Sequence, residues 1–193
     1  MQTSPPATQQ VDINENQETV IFFLQSVNSP GIVSLIDYLL ESDYFSAPAS
    51  TRFHNSFPGG LCNHSLNLVY AFGVANQRLL KPMPLDSVAI CGLLHDLCRV
   101  NAYLPIGKGY KSVKGPTSHA TLSLSRIREH IQLTPEEDDV IRYHMGLFGI
   151  FTYREHDTLS MHRAILRTPQ VQIFAALDMT DSKGPLQKGY EKW

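Results

Sequence analysis

Five segments of the chain set a histidine or an aspartate among apolar or small residues. They are His64 in CNHSLNL, His95 and Asp96 side by side in AICGLLHDLCRV, His119 in SHATL, His144 in VIRYHM and Asp178 in IFAALDM. An ionised carboxylate buried without a partner costs on the order of several kcal/mol, so such groups are normally paired, hydrogen-bonded or metal-bound. A cation held by Asp96 and the imidazoles removes that cost. Imidazole with carboxylate suits zinc, manganese, iron, cobalt or nickel, and no thiolate belongs to this set. Taken singly, each histidine also fits as a satisfied core or surface residue; the recurrence within helical segments is what points to a shared site.

The elements that must position these groups are helical. Residues 1–17 are polar and rich in Pro, Gln and Asn, the composition of a flexible tail. A helical pattern runs over 18–27, and another follows Pro30, with Ile32, Leu35, Ile36, Leu39 and Leu40 in one stripe. After a loop containing Pro48, Pro58, Gly59 and Gly60, CNHSLNLVYAFGVANQRLL predicts a third helix and PLDSVAICGLLHDLCRV a fourth, with His95 and Asp96 mid-way along it. Neighbours on a helix point about 100° apart, so those two side chains converge only on an ion lying between their directions. Residues 102–117, with three Gly and two Pro, form a loop or small hairpin. His119 opens the next helix and His144 closes the one after, whose start carries Thr134 as N-cap with Glu137 three residues on. A glycine-and-aromatic loop leads to a last helix bearing Asp178. Antiparallel helices bring such residues together in a bundle core. The expectation is an all-α chain with one domain over 18–193.

Composition narrows the function classes. The 193 residues are 42% hydrophobic and 18% charged, with a net charge of −2 and a pI near 6.4, which argues against a protein that coats nucleic acid electrostatically. No apolar run reaches the roughly 18 residues that span a bilayer, and the N-terminus lacks a basic-then-apolar signal layout, so a cytoplasmic protein without membrane contact is expected. Cys62, Cys91 and Cys98 show no paired spacing and read as small core residues of a reducing compartment.

The order His64, His95–Asp96, Asp178 resembles the H…HD…D signature of the HD-domain superfamily of metal-dependent phosphohydrolases. FHNSFPGGLCNHSLNL is similar to the H-x-x-x-P-G-G-L-x-x-H-S-L run of bacterial and phage members, and GLLHDLCR to their LLHDLGK or LLHDLCK. The likeness covers about residues 44–183 and implies an HD-type helical bundle in which His64, His95, Asp96 and Asp178 bind one metal. His119 and His144 fall where two-metal members carry further histidines, implying a second ion bridged by Asp96. The ions would be two divalent cations: manganese, iron, cobalt, nickel, magnesium or zinc.

The same resemblance implies hydrolysis of a phosphoester or phosphoanhydride by metal-activated water. Asp96 and Arg99 are the catalytic candidates, and Arg99 stands where members usually carry lysine. Arginine keeps the charge and adds a bidentate fork. Arg52, His54, Arg99, Lys108 and Lys111 are candidates for substrate binding, with Lys114 nearby on the same loop; three loop lysines equally suit a solvated surface. Tyr103, Tyr110, Phe148, Phe151 and Tyr153 offer faces for a base or, more simply, core packing. His130, His156 and His162 read as surface residues. The expected partner is a small phosphorylated substrate, a nucleotide, with a short nucleic-acid end as the alternative, since the PGGL-type sequence also occurs in proteins acting on such ends as 3′-to-5′ exonucleases. A non-catalytic nucleotide-binding module on the same site differs in lacking turnover, and the oxygenase branch of the fold in requiring iron and oxygen.

Overall fold

The computed structural model describes residues 11–51, 54–107, 109–113, 119–153 and 157–182, without the side chains of Thr152 and Tyr153. Helices dominate: α1 (Ile13–Ser26), α2 (Ile32–Glu41), α3 (Gly60–Asn76), α4 (Leu85–Leu94), α5 (His119–Arg128), α6 (Pro135–Arg142), the single turn α7 (Gly146–Phe148), α8 (Thr158–Arg167) and α9 (Gln170–Asp181). A 3₁₀ turn, Leu97–Arg99, follows α4, and a π turn, Gly149–Tyr153, follows α7. The expected hairpin is present as β1 (Tyr103–Ile106) and β2 (Gly109–Ser112), antiparallel, with Tyr103 opposite Ser112 and Leu104 opposite Lys111.

α3 and α4 form the centre. From Ser87 to Leu94 every residue of α4 is buried, and α3 buries Leu61, Cys62, His64, Ser65, Leu66, Leu68, Val69 and Phe72. Helices apolar on all faces are core helices, and these two pack on each other, with α9 laid across α3. The PGG turn delivers α3 into this core. Gly59 is its N-cap at φ 81°, and a Cβ on Gly60 would overlap the carbonyl oxygen of Asn55, so the loop passes too close for any other residue.

α1 and α8 differ from the sequence expectation. α1 begins at Ile13, so residues 13–17 are helix and not tail: Asp12 caps it, its carboxylate accepting from the backbone N–H of Asn14 (3.0 Å) and Glu15 (3.1 Å). α8 lies where no helix was predicted, capped by Asp157, which accepts from the Ser160 N–H at 2.7 Å. The predicted capping box of α6 is formed in both directions by Thr134 and Glu137. Glu137 also accepts from Ser87 Oγ at 2.7 Å, tying α6 to α4.

Candidate metal centre

The five segments meet. His64, on the second turn of α3, is fully buried and turns Nε2 toward His95 Nε2 (3.1 Å) and Asp178 Oδ1 (3.2 Å). His95 Nε2 lies 4.0 Å from the same carboxylate oxygen. Two ligands bonded at about 2.0–2.1 Å to one cation stand roughly 3 Å apart, so the 3.1 and 3.2 Å separations suit a shared ion, while the 4.0 Å one matches only ligands on nearly opposite sides of it. On the other side, Asp96 Oδ1 is 2.7 Å from His119 Nε2 and 3.5 Å from His144 Nε2. Ligand atoms of His64, His95 and Asp96 lie within 4.8 Å of one another, and so do those of Asp96, Cys98 and His119; Asp96 belongs to both groups.

His95 and Asp96 are not mid-helix, as the sequence suggested. α4 ends at Leu94, His95 is its C-cap, and Asp96 leaves the helix at φ −101°, ψ 22°, the bridge region in which many active-site residues sit. The break lets Asp96 face α5 while His95 faces α3.

The hydrogen bonds behind the imidazoles decide which nitrogen faces inward. His95 Nδ1 is 3.0 Å from the Gly92 carbonyl and His144 Nδ1 is 2.7 Å from the Ile141 carbonyl. A carbonyl only accepts, so both Nδ1 atoms carry a proton and both rings turn Nε2 inward. His64 Nδ1 donates likewise to Asp181 Oδ2 at 2.6 Å. This carbonyl or carboxylate partner behind each ring is the arrangement that orients metal-ligating histidines. His144 Nε2 is buried without a well-formed hydrogen bond, 3.5 Å from Asp96 Oδ1, and a cation between the two satisfies both.

Electrostatics follow from the crowding. Burial lowers the His64 pKa, but Asp178 and Asp181 outweigh it and hold the ring up to about 10. For His119, burial and Arg99 act downward and Cys98 and Asp96 upward, with the balance at about 10. Burial pushes His95 down to about 4. Asp96 and Asp178 are also buried, yet the neighbouring histidines, with Arg99 beside Asp96, hold both carboxyls below their usual range.

Other expected residues are placed unevenly. Arg99 Nε stands 3.6 Å from Asp96 Oδ2, its guanidinium donates to the Tyr103 hydroxyl at 2.7 Å, and its side chain is 24% exposed at the rim. The His54 ring lies 5.3 Å from that of His64, with its pKa lowered by burial and by His64. Lys111 is exposed on β2. Arg52, Lys108, Lys114 and His156 lie outside the described residues. Tyr103 is buried, whereas Phe148 (51%) and Phe151 (73%) are exposed rather than packed in the core.

Sequence reasoning missed Asp181 and Cys98. Asp181 is one helical turn beyond Asp178, and its carboxylate also accepts from Asn67 (3.0 Å) and Asn55 (3.3 Å); the i, i+3 spacing was its signal. Cys98 Sγ stands 3.0 Å from His119 Nδ1, so a thiol does border the set after all. Cys62 and Cys91 are buried in the core as expected.

No helix among the described residues is long and apolar enough to cross a membrane. No family model and no solved structure matches the chain. Among curated proteins it is similar to the 3′-5′ exoribonuclease YhaM of Bacillus subtilis (strain 168), 24% identical over 137 residues that cover 67% of this chain. The match spans 43% of that protein, so this chain corresponds to less than half of the relative it resembles.

Proposed function

We propose that the chain is a metal-dependent phosphohydrolase, acting on a phosphoester or phosphoanhydride of a nucleotide or short oligonucleotide. One observation carries the metal: His64, His95 and His144 each spend Nδ1 on an acceptor and turn Nε2 into the same buried space, beside Asp96 and Asp178. A cation in that space takes the place of the proton that His64 now holds between His95 and Asp178, and is bound by imidazole and carboxylate together. In this reading His64, His95, Asp96 and Asp178 hold one ion, and Asp96, His119 and His144 a second. Such ions lower the pKa of bound water and neutralise charge on phosphate oxygens.

The remaining roles belong to the protein. Asp181 fixes the His64 ring through Nδ1, and the Gly92 and Ile141 carbonyls fix His95 and His144. Arg99, anchored by Tyr103 and Asp96 at the rim, offers its outer N–H groups to a phosphate. The His54 ring stands beside that of His64, 5.3 Å between centroids.

Likeness to an exoribonuclease favours a second, narrower reading, a 3′-to-5′ phosphodiesterase acting on RNA ends. The net charge of −2 suits contact with only the terminal few nucleotides. A screen of nucleotides, cyclic nucleotides and short oligonucleotides across manganese, magnesium, cobalt and nickel tests both. The expected result is metal-dependent turnover that Asp96→Ala abolishes together with most bound metal. Wild-type activity in Asp96→Ala overturns the site assignment, and wild-type protein that binds nucleotide without turnover makes the chain a binding module.

A further inference from the structure

Three donors converge on the buried Asp181 carboxylate: His64 Nδ1 and Asn55 Nδ2 on Oδ2, at 2.6 and 3.3 Å, and Asn67 Nδ2 on Oδ1 at 3.0 Å. His64 and Asn67 both ride on α3. Asn55 comes instead from the loop before α3, where it holds φ 46° and is one of two non-glycine residues at positive φ among the described residues. Asparagine is among the few residue types that take this conformation, and it persists where surrounding contacts fix it. Those contacts are present here. The Asn55 carbonyl accepts from the Ala49 N–H at 3.0 Å, closing the loop on itself. From Ala49 the bonds run on: its carbonyl accepts from the Tyr103 hydroxyl at 3.3 Å, that hydroxyl accepts from Arg99 Nη1 at 2.7 Å, and Arg99 Nε stands 3.6 Å from Asp96 Oδ2.

We propose that Asn55 is a positioning residue that sets the register between the two ends of the site, joining His64 through Asp181 to Arg99 and Asp96 through Ala49 and Tyr103. The inference rests on the metal-centre reading above and adds to it a residue that touches neither ion nor substrate. A carboxylate bonded to one imidazole alone can turn about its Cβ–Cγ bond and keep that partner. Donors on both oxygens fix its plane, and with it the ring of His64 and the direction of Nε2. Asn67 supplies such a donor from the helix that carries His64, so it locks the carboxylate to α3 only. Asn55 locks it to the loop, and the loop to Arg99. A neutral amide suits this place, because it donates to Asp181 without cancelling the charge that the imidazole faces. His54 is carried in the same register: its carbonyl accepts from Ser50 Oγ at 2.7 Å, and it directly precedes Asn55.

A double-mutant cycle on the full chain tests the register, with zinc affinity read by competition against a chromophoric chelator. Asn55→Gly accepts the left-handed backbone and removes only the amide, and Tyr103→Phe removes the hydroxyl at the other end of the chain of bonds. Asn55→Gly should weaken zinc binding about three- to tenfold, the size expected for one hydrogen bond, and Tyr103→Phe by a smaller factor. Because both act through one path, the double variant should lose at least about twofold less than the product of the single losses. Losses that simply multiply overturn the register, as does zinc affinity in Asn55→Gly equal to that of the wild type; either result leaves the metal centre intact. No zinc bound by the wild type overturns the metal centre itself. Hydrogen exchange of the Asn55 carboxamide in the ion-free wild type gives a check independent of both the metal and how the variants fold. Protection of these protons supports the bond to Asp181, and exchange as fast as in a solvated amide overturns it.

Discussion

At neutral pH the ion-free centre stores positive charge as protons on His64 and His119, both held up to about 10 by the acidic groups and the thiol around them. A folded-state pKa raised above the ordinary value near 6.5 stabilises the ion-free fold fully below that value, and the contribution is lost as pH rises through about 10. A cation must expel these protons, so its affinity rises with pH over the same range. Metal binding is therefore expected to tighten steadily between about pH 6 and pH 9 and to release about two imidazole protons as both positions fill. Calorimetric titration in two buffers of different ionisation enthalpy measures this; affinity independent of pH would remove His64 and His119 from the ligand set. Behind His64, the Asp181 carboxylate accepts from the ring and from two asparagines. Asp181→Asn keeps the shape and removes the charge, so it should weaken metal binding about 10- to 100-fold while the fold persists, as found when partners behind metal ligands are altered. Competition against a chromophoric chelator reads the change, and unaltered affinity would reduce Asp181 to a packing role.

At the scale of elements, the distance from His64 to His95 is the distance from α3 to α4, and Gly92 sets it. A Cβ there would meet Val69 Cγ2 at 2.6 Å, Val69 N at 2.8 Å and Val69 Cα at 2.9 Å, and backbone atoms do not yield as a side-chain tip does. Gly92→Ala is expected to destabilise the fold by about 1–3 kcal/mol in chemical denaturation and to part the helices carrying the two histidines; stability within error of wild type would show that the helices separate freely. Helix periodicity made α2, α3, α4 and α6 readable in the sequence, and the Thr134–Glu137 box marked the start of α6 within a residue. The start of α1 was hidden because Asp12 caps a first turn of polar residues that carries little apolar stripe. The end of α4 was hidden for a different reason. Nothing local breaks LLHDLCR; the chain turns there because Arg126 of α5 donates to the Leu97 and Val100 carbonyls (2.7 and 3.0 Å) and Ser123 holds Cys98, contacts made from 25 or more residues away. The six ligand candidates were readable because each was a polar residue in apolar text, and Cys98 was not, because a cysteine in such text looks like core.

For the whole molecule, the centre is a clasp between segments far apart in the chain: α3, the end of α4, the start of α5, the turn after α6, and α9 each bring a ligand candidate to one buried space. Without an ion, that space juxtaposes Asp96, Asp178 and Asp181 with four imidazoles, and only some of these pairs are hydrogen-bonded. A ligand that binds the folded state alone adds RT ln(1 + [L]/Kd), about 2.7 kcal/mol at a hundredfold excess over Kd. For a chain of about this size each kcal/mol moves Tm by roughly 2–4 °C, so saturating one site should raise Tm by about 5–11 °C. The increment should depend on metal concentration, vanish in chelator and be largely absent in Asp96→Ala, whose lost carboxylate is common to both halves of the clasp. Scanning calorimetry with and without metal measures it. A Tm unmoved by zinc, cobalt or manganese in the wild type would mean that the imidazoles are held together by packing and protons alone, and the phosphohydrolase reading would lose the group that performs its chemistry.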